Sequence, residues 1–223
     1  MRNIEIHKSA DGSHTVWDAL HGEHFHSASG AYGESMHVFI ENGLNHARQI
    51  FANEINILEI GFGTGLNALL TYLYQDQMIV RYTGVEKFPL PESVWSQLAY
   101  EAFEPVGGKS VYNTMMACEW EREQHITPFF HLTKVASDIH DFEPDTRKYH
   151  LIYFDAFSAS VQPELWSAEM FRKLFYALKP EGILVTYSAK GTVKQALRAV
   201  GFNVVRLPGF AGKRHMLRAV RSI

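Results

Sequence analysis

Short apolar runs alternate with stretches of helical spacing through most of this chain. Strand-length runs follow Glu54, span Arg81–Glu86 and Phe130–Ala136, and continue through Tyr149–Asp155 and Ile183–Ser188. Helical patterns are predicted from the glycine turn to about Tyr74, over Glu92–Phe103, around Trp120, over Pro163–Leu178 and over Val193–Val200. Pro163 and Glu164 suit a first helical turn, and Gly201 suits a C-cap. Asn203–Leu207 and His215–Val220 close the chain as two strands. Their connection is too short for a parallel crossover, so they are expected to be antiparallel. Residues 1–53 break this rhythm: they predict a hairpin or loop and then a helix from about Glu34 to Asn53, which Gly43 could divide in two. The expectation is a Rossmann-like α/β unit over 54–223, mostly parallel with an antiparallel C-terminal strand, preceded by an N-terminal extension or substrate-side cap over 1–53.

The densest signal is Ile55-Asn56-Ile57-Leu58-Glu59-Ile60-Gly61-Phe62-Gly63-Thr64-Gly65-Leu66-Asn67. A buried strand ends in an acid, a glycine turn follows, and a helix begins. That arrangement presents backbone N–H groups to a nucleotide-type cofactor. Gly61, Gly63 and Gly65 give G-x-G-x-G, with Leu66 where a dinucleotide fingerprint requires its third glycine. Glu59 disfavours a pyrophosphate and suits a cation. S-adenosyl-L-methionine, which carries an ammonium and a sulfonium, therefore fits better than NAD. The next predicted strand ends at Glu86, about 20 residues beyond the turn, where an acid commonly holds ribose hydroxyls. With Asp138 and Asp155, acids stand near four successive strand ends, the edge at which open α/β sheets bind ligands. Any one of them could equally be a solubilising loop acid.

Composition narrows the picture. The chain has 223 residues, 46% hydrophobic and 20% charged, as expected of a globular protein with a real core. One cysteine, Cys118, excludes a disulfide framework and a Cys-rich zinc site. No signal-peptide pattern or membrane-length apolar run is present, and a cytoplasmic location is expected. A net charge of -3 gives no global argument for nucleic acid. A local cluster of Lys190, Lys194, Arg198, Lys213, Arg214 and Arg218 could contact phosphates, or could be an ordinary solvated face. His21, His24 and His26 lack the helix spacing or cysteine partners of common metal sites. They are read as a substrate-side loop without a metal, although a metal role is not excluded. No G-x-S-x-G elbow supports a hydrolase.

The segments Glu59–Asn67, Glu86-Lys87-Phe88-Pro89-Leu90, Asp155-Ala156-Phe157 with Pro163 and Trp166, and Gly209-Phe210 followed by Lys213-Arg214-His215-Met216-Leu217 resemble the methyltransferase half of the bifunctional tRNA wobble-uridine enzymes of the MnmC family. His37–Leu44 and Ala189–Val193 fit as well. The resemblance extends over almost the whole chain and does not include the FAD-dependent oxidase half. It implies a stand-alone (MnmD-like) class I S-adenosyl-L-methionine-dependent N-methyltransferase. Such an enzyme converts 5-aminomethyl-(2-thio)uridine to its methylaminomethyl form at the wobble position, in the anticodon region of tRNA. The aminomethyl tRNA would be made elsewhere, with a separate oxidase partner left open.

Methyl transfer to an amine requires a neutral nucleophile, in-line alignment and exclusion of water. Asp155 is the catalytic candidate, orienting the amine and helping its proton leave; the other reading is a cap on the Phe157-Ser158 backbone. Glu59, Gly61, Gly63, Gly65, Glu86 and Asp138 are the cofactor-binding candidates, with Asp138 resembling the acid that meets the adenine amino group in this fold class. Phe157, Trp166 and Tyr187 could stack on the target base, or could be core. Lys213 and Arg214 complete the substrate-binding candidates. Three other readings stay open: an aminopropyltransferase-like enzyme acting on a small amine, a non-catalytic scaffold, and, more distantly, an NAD oxidoreductase.

Overall fold

The computed structural model describes residues 3–100 and 107–222. β1 (Ile4–Lys8), β2 (His14–Asp18) and β3 (Glu23–His24) form a small antiparallel sheet. A continuous helical segment follows: α1 (Ala31–Ser35), a π-helical stretch (Met36–Leu44) and α2 (Asn45–Ala47). Gly43 does not divide it. A Cβ on Gly43 would lie 3.1 Å from both Tyr153 and Val185, so the missing side chain lets the helix lie close against the sheet.

The remaining elements are β4 (Glu54–Ile60), α3 (Leu66–Tyr74), β5 (Ile79–Glu86), α4 (Glu92–Trp95), α5 (Gly108–Ala117), β6 (Gln124–Thr127), β7 (Phe130–Ala136), β8 (Tyr149–Phe154), a 3-10 turn (Pro163–Trp166), α6 (Ala168–Ala177), β9 (Leu178–Thr186), α7 (Gly191–Ala199), β10 (Phe202–Pro208) and β11 (His215–Arg221). Eight strands form the main sheet in the order β10-β11-β9-β8-β4-β5-β7-β6. β7, β5, β4, β8 and β9 run parallel, whereas β11 is antiparallel to both β9 and β10. The expected antiparallel C-terminal pair is present.

β8 is buried at every position, because the central strand of a two-sided sheet has no solvent face. Its side chains alternate between two cores. Leu151 and Tyr153 join Ile57 and Tyr82 beneath the π-helical stretch, α3 and α5; Ile152 and Phe154 join Leu58 and Ile60 beneath α6 and α7. The sheet order reverses between β4 and β8, which opens a crevice at their carboxyl ends.

Three local expectations change. The helix over Glu92–Phe103 is one turn, Glu92–Trp95, and Phe103 lies outside the described residues. The helix placed around Trp120 ends earlier, at Ala117; Cys118 is extended, and Trp120 makes a parallel bridge to Lys134. Lys134, fully buried, donates to the Met116 carbonyl at 2.6 Å and lies 4.8 Å from the Trp120 ring. The helix over Pro163–Leu178 is two pieces, because Ser167 is extended and its hydroxyl accepts from the Met170 amide at 3.2 Å, starting α6 afresh. β6, an edge strand antiparallel to β7, has no counterpart among the expected elements.

Candidate active site

The turn after β4 needs glycine for two separate reasons. Gly61, Gly63 and Gly65 all have positive φ, at 87°, 49° and 73°. A Cβ on Gly61 would also fall 2.6 Å from the Asp155 carbonyl oxygen, and one on Gly63 would fall 2.9 Å from the Phe25 ring. The turn is tied to the neighbouring strand by Glu86, whose carboxylate accepts from the Gly63 amide at 3.0 Å and the Phe88 amide at 2.8 Å. Lone pairs of Glu86 remain free to meet ligand hydroxyls.

Beside this turn lies a cavity of about 400 Å³. Its wall comes from the carboxyl ends of β4, β5, β7, β8 and β9, from the loop after β2, and from Lys213. The sheet thus delivers Gly61, Gly63, Glu86, Asp138 and Asp155 to one space, with Phe157, Tyr187 and Lys213 on the same wall. Six carboxylates line it (Glu23, Glu34, Glu86, Asp138, Asp155 and Glu164) against the two lysines Lys87 and Lys213. That balance suits a cationic ligand.

Asp155 follows β8 and has its side chain only 9% exposed. Burial pushes its carboxyl up to about 7; the Asn67 amide and Lys213 oppose that shift, and Glu34 adds to it. Asn67 donates to Asp155 Oδ2 at 2.9 Å. His26 Nδ1 lies 3.9 Å from the same oxygen, while His26 Nε2 pairs with Thr64 Oγ1 at 2.8 Å. Burial holds His26 down at about 4, so it stands beside Asp155 as a neutral ring and not as an ion-pair partner. Asp138 is partly buried, which by itself would raise it. Lys87, at 2.7 Å, and the His140 amide outweigh that and hold it below the usual carboxylate range.

Of the other sequence-derived candidates, Glu59, Gly65, Trp166 and Arg214 do not line the cavity. Glu59 is fully buried; its oxygens accept from Tyr82 at 2.7 Å and Asn67 at 2.8 Å, and burial raises its carboxyl well above the usual value. Its side chain points inward to these partners and does not line the cavity. Gly65 caps α3. Trp166 is 4% exposed and donates to the Phe157 carbonyl at 2.8 Å, bracing the loop that carries Phe157. Phe157 stacks on His21 at 4.5 Å, and Tyr187 donates to the Ala156 carbonyl at 2.9 Å. Lys213 pairs with Glu34 and stands 4.9 Å over the Tyr187 ring, whereas Arg214 is exposed and does not line the cavity.

The histidine loop is split among different partners. His21 meets Asp18, His24 meets His7 at 2.9 Å, and His26 meets Thr64. Sequence reasoning missed Glu23, Glu34 and the role of Asn67. Glu23 accepts from the Ser158 amide at 3.0 Å and so ties β3 to the loop after β8. Asn67 was visible in the glycine motif, but its link to both Glu59 and Asp155 requires the fold.

Residues 113–222 match the family described as S-adenosyl-L-methionine-dependent methyltransferase. The tRNA 5-methylaminomethyl-2-thiouridine biosynthesis bifunctional proteins MnmC of Burkholderia mallei (strain SAVP1) and Burkholderia pseudomallei (strain 668) are each 32% identical over 225 residues, covering 91% of this chain and 33% of the relative. The chain thus spans about a third of the length of these relatives. The crystal structure of MNMC2 from Aquifex aeolicus superposes with a TM-score of 0.82 at 24% identity, over 100% of this chain and 71% of that one. A probable spermidine synthase from Corynebacterium glutamicum ATCC 13032 reaches 0.56 at 15% identity, over 98% and 77%. Both structural likenesses concern the fold. The chain has the Rossmann-like fold of the S-adenosyl-L-methionine-dependent methyltransferases and matches that family, along the methyltransferase region of MnmC.

Proposed function

We propose that this chain transfers a methyl group to the primary amine of 5-aminomethyl-(2-thio)uridine at the wobble position of tRNA, in the cytoplasm. The observation that carries the reading is Asp155: a buried carboxyl on the wall of an acid-lined cavity, directly against the glycine turn. The matched MnmC proteins, named for 5-methylaminomethyl-2-thiouridine biosynthesis, supply the substrate class.

The residues present fit S-adenosyl-L-methionine. Gly61 and Gly63 line the cavity without side chains, Glu86 at the end of β5 would meet ribose hydroxyls, and Asp138, just beyond β7, would meet the adenine amino group. When bound, this cofactor supplies an electrophilic methyl on a sulfonium. The task of the chain is to hold a neutral amine in line with it. Asp155 would accept a hydrogen bond from the amine and take its proton as the C–N bond forms and the methyl–sulfur bond breaks, the sulfur leaving as a neutral thioether. A carboxyl poised near 7 by burial is matched to that exchange. Glu23 and Glu34 line the same space and attract the acceptor as an ammonium, which must give one proton to water before the neutral amine can attack. Phe157 and Tyr187 offer aromatic faces to a base turned out of its stack, and Lys213 a cation to its phosphate. Residues 1–53 act as a substrate-side cap, since His21–Ala28 and Glu34 contribute to the wall.

The test is transfer of labelled methyl to bulk tRNA from a strain lacking this modification, followed by nucleoside mass spectrometry. A methylaminomethyluridine product supports the reading. Binding of the methyl donor without labelled tRNA overturns it in favour of a small amine acceptor, which the six carboxylates of the cavity would also suit.

A further inference from the structure

The edge of the main sheet furthest from β10 carries a second group of metal-capable side chains. Glu123 and His125 are two residues apart, so along an extended chain their side chains share a face. His131, on β7, is the direct cross-strand partner of His125 on β6. Cross-strand partners meet on one face, and here the two imidazole rings lie 4.2 Å apart between centroids. One ligand atom from each of Glu123, His125 and His131 falls within 4.8 Å of the others. His131 is 9% exposed, and its Nδ1 is buried without a hydrogen-bond partner, 3.8 Å from Glu123 Oε1. A buried ring nitrogen without a partner is costly, and an ion would satisfy it.

We propose that Glu123, His125 and His131 form a zinc(II) site that fastens the edge strand β6 to β7. Two imidazoles and a carboxylate are a borderline donor set suited to zinc, with water completing a tetrahedron. Bonds of about 2.0–2.1 Å place tetrahedral ligand atoms roughly 3.3 Å apart, so the present spacing closes through small side-chain rotations. Arg81 shares Glu123, its Nη1 lying 2.9 Å from Oε1, but its Nε also holds Glu54 at 2.9 Å. Arg81 therefore keeps a carboxylate partner when Glu123 turns to a metal, and the second Glu123 oxygen remains for coordination. The group sits at the start of β7, the opposite end from the cavity, and none of its members lines that cavity. The inference is independent of the proposed methyl transfer.

The test uses the full chain, stripped of metal with a chelator and titrated with zinc sulfate in a calorimeter, alongside imidazole nitrogen NMR. The expected result is one saturable site, with the His131 ring signals shifting on binding. Affinity falls at least tenfold in His125→Ala and in Glu123→Gln. Both positions are exposed, so these variants keep the fold without exchanging the buried His131. Methyl transfer remains unchanged in both. Absence of saturable binding overturns the site. So does unchanged affinity in His125→Ala, which would put the zinc at other histidines such as the His7–His24 pair.

Discussion

Asn67 donates from one amide nitrogen to Asp155 Oδ2 at 2.9 Å and to Glu59 Oε1 at 2.8 Å. Both protons of the amide are thus used, while its buried carbonyl oxygen has no partner. Asn67 sits in the first turn of α3, so the helix that follows the glycine turn also sets the direction of the acid across the crevice. The arrangement makes Asn67 a positioning residue for Asp155.

Replacing Asn67 by Ala removes a donor that favours the ionised form of Asp155. The Asp155 carboxyl then rises above its present value of about 7, and the rising limb of the pH–rate profile moves to higher pH. Turnover at pH 7 drops by about fivefold for a rise of one pKa unit, the loss in ionised fraction of a group that starts near 7, with the KM for the methyl donor little changed. An unshifted profile would show that Asn67 serves packing alone.

Asp155→Asn keeps the size of the side chain and its hydrogen-bonding reach but cannot take a proton. Methyl transfer is expected to fall by about 10²–10⁴. Calorimetric affinity for S-adenosyl-L-methionine should stay within a few-fold, because Gly61, Gly63 and Glu86 are untouched. Turnover near that of the unmodified protein would remove Asp155 from its role.

Asp155 and His26 act oppositely on stability. The folded value of Asp155 is raised from 3.8 to about 7, so its stabilising term is complete below pH 3.8 and is lost as pH rises through 7. The folded value of His26 is depressed from 6.5 to about 4, so stability falls as pH drops from 6.5 through 4. Between pH 4 and 6.5 the two slopes oppose each other, each at most about 1.4 kcal/mol per pH unit. Relative to the unmodified protein, Asp155→Asn should gain stability more steeply with rising pH in that window, and His26→Gln should lose it. Urea unfolding at pH 4.5 and about pH 6.5 distinguishes these signs; identical slopes in all three proteins would contradict them.

The two turn glycines differ in what a side chain meets. At Gly61 a methyl group strikes the Asp155 backbone, which cannot rotate away; at Gly63 it strikes the Phe25 ring, which can. Gly61→Ala should therefore abolish methyl-donor binding and destabilise the fold by about 1–3 kcal/mol. Gly63→Ala should weaken binding less, and Gly63→Val should block it by filling the crevice. Calorimetry and thermal unfolding provide both readouts, and equal effects of the two alanines would argue against the distinction.

Elements with a strong period were legible in the sequence. The Phe130–Ala136 strand has its expected limits, and β4, β5 and β8 differ only at their ends, because buried parallel strands are apolar runs; the antiparallel C-terminal pair also differs only at its ends. Failures came where side-chain contacts override spacing. Ser167 caps a new helix inside an apparently continuous pattern, and Trp120 leaves helical geometry to bridge Lys134. The strand-end acids were legible as a row, but their roles were not. Glu59 and Asp155 look alike in sequence, yet one side chain is sealed against Tyr82 while the other reaches the crevice. Glu23 and Glu34 carried no motif at all, since only folding of the first 50 residues brings them to the wall.

The basic cluster at the C-terminal end divides in a way that sharpens its test. Lys213 is held by Glu34 over Tyr187, Lys190 meets Ser160, and Arg218 is half-buried. Lys194 and Arg198 stand one turn apart on α7, and Lys194 is repelled by both Arg206 and Arg198. That repulsion is relieved when a polyanion binds. Lys194→Glu with Arg198→Glu should weaken tRNA binding and reduce the slope of log affinity against log salt by about 1.5–2, the loss of two phosphate contacts. Lys213→Met should instead alter turnover with little change in that slope, because its ammonium faces the cavity. Filter binding across a salt series decides the matter: an unchanged slope in the double reversal would remove α7 from the tRNA-contacting surface.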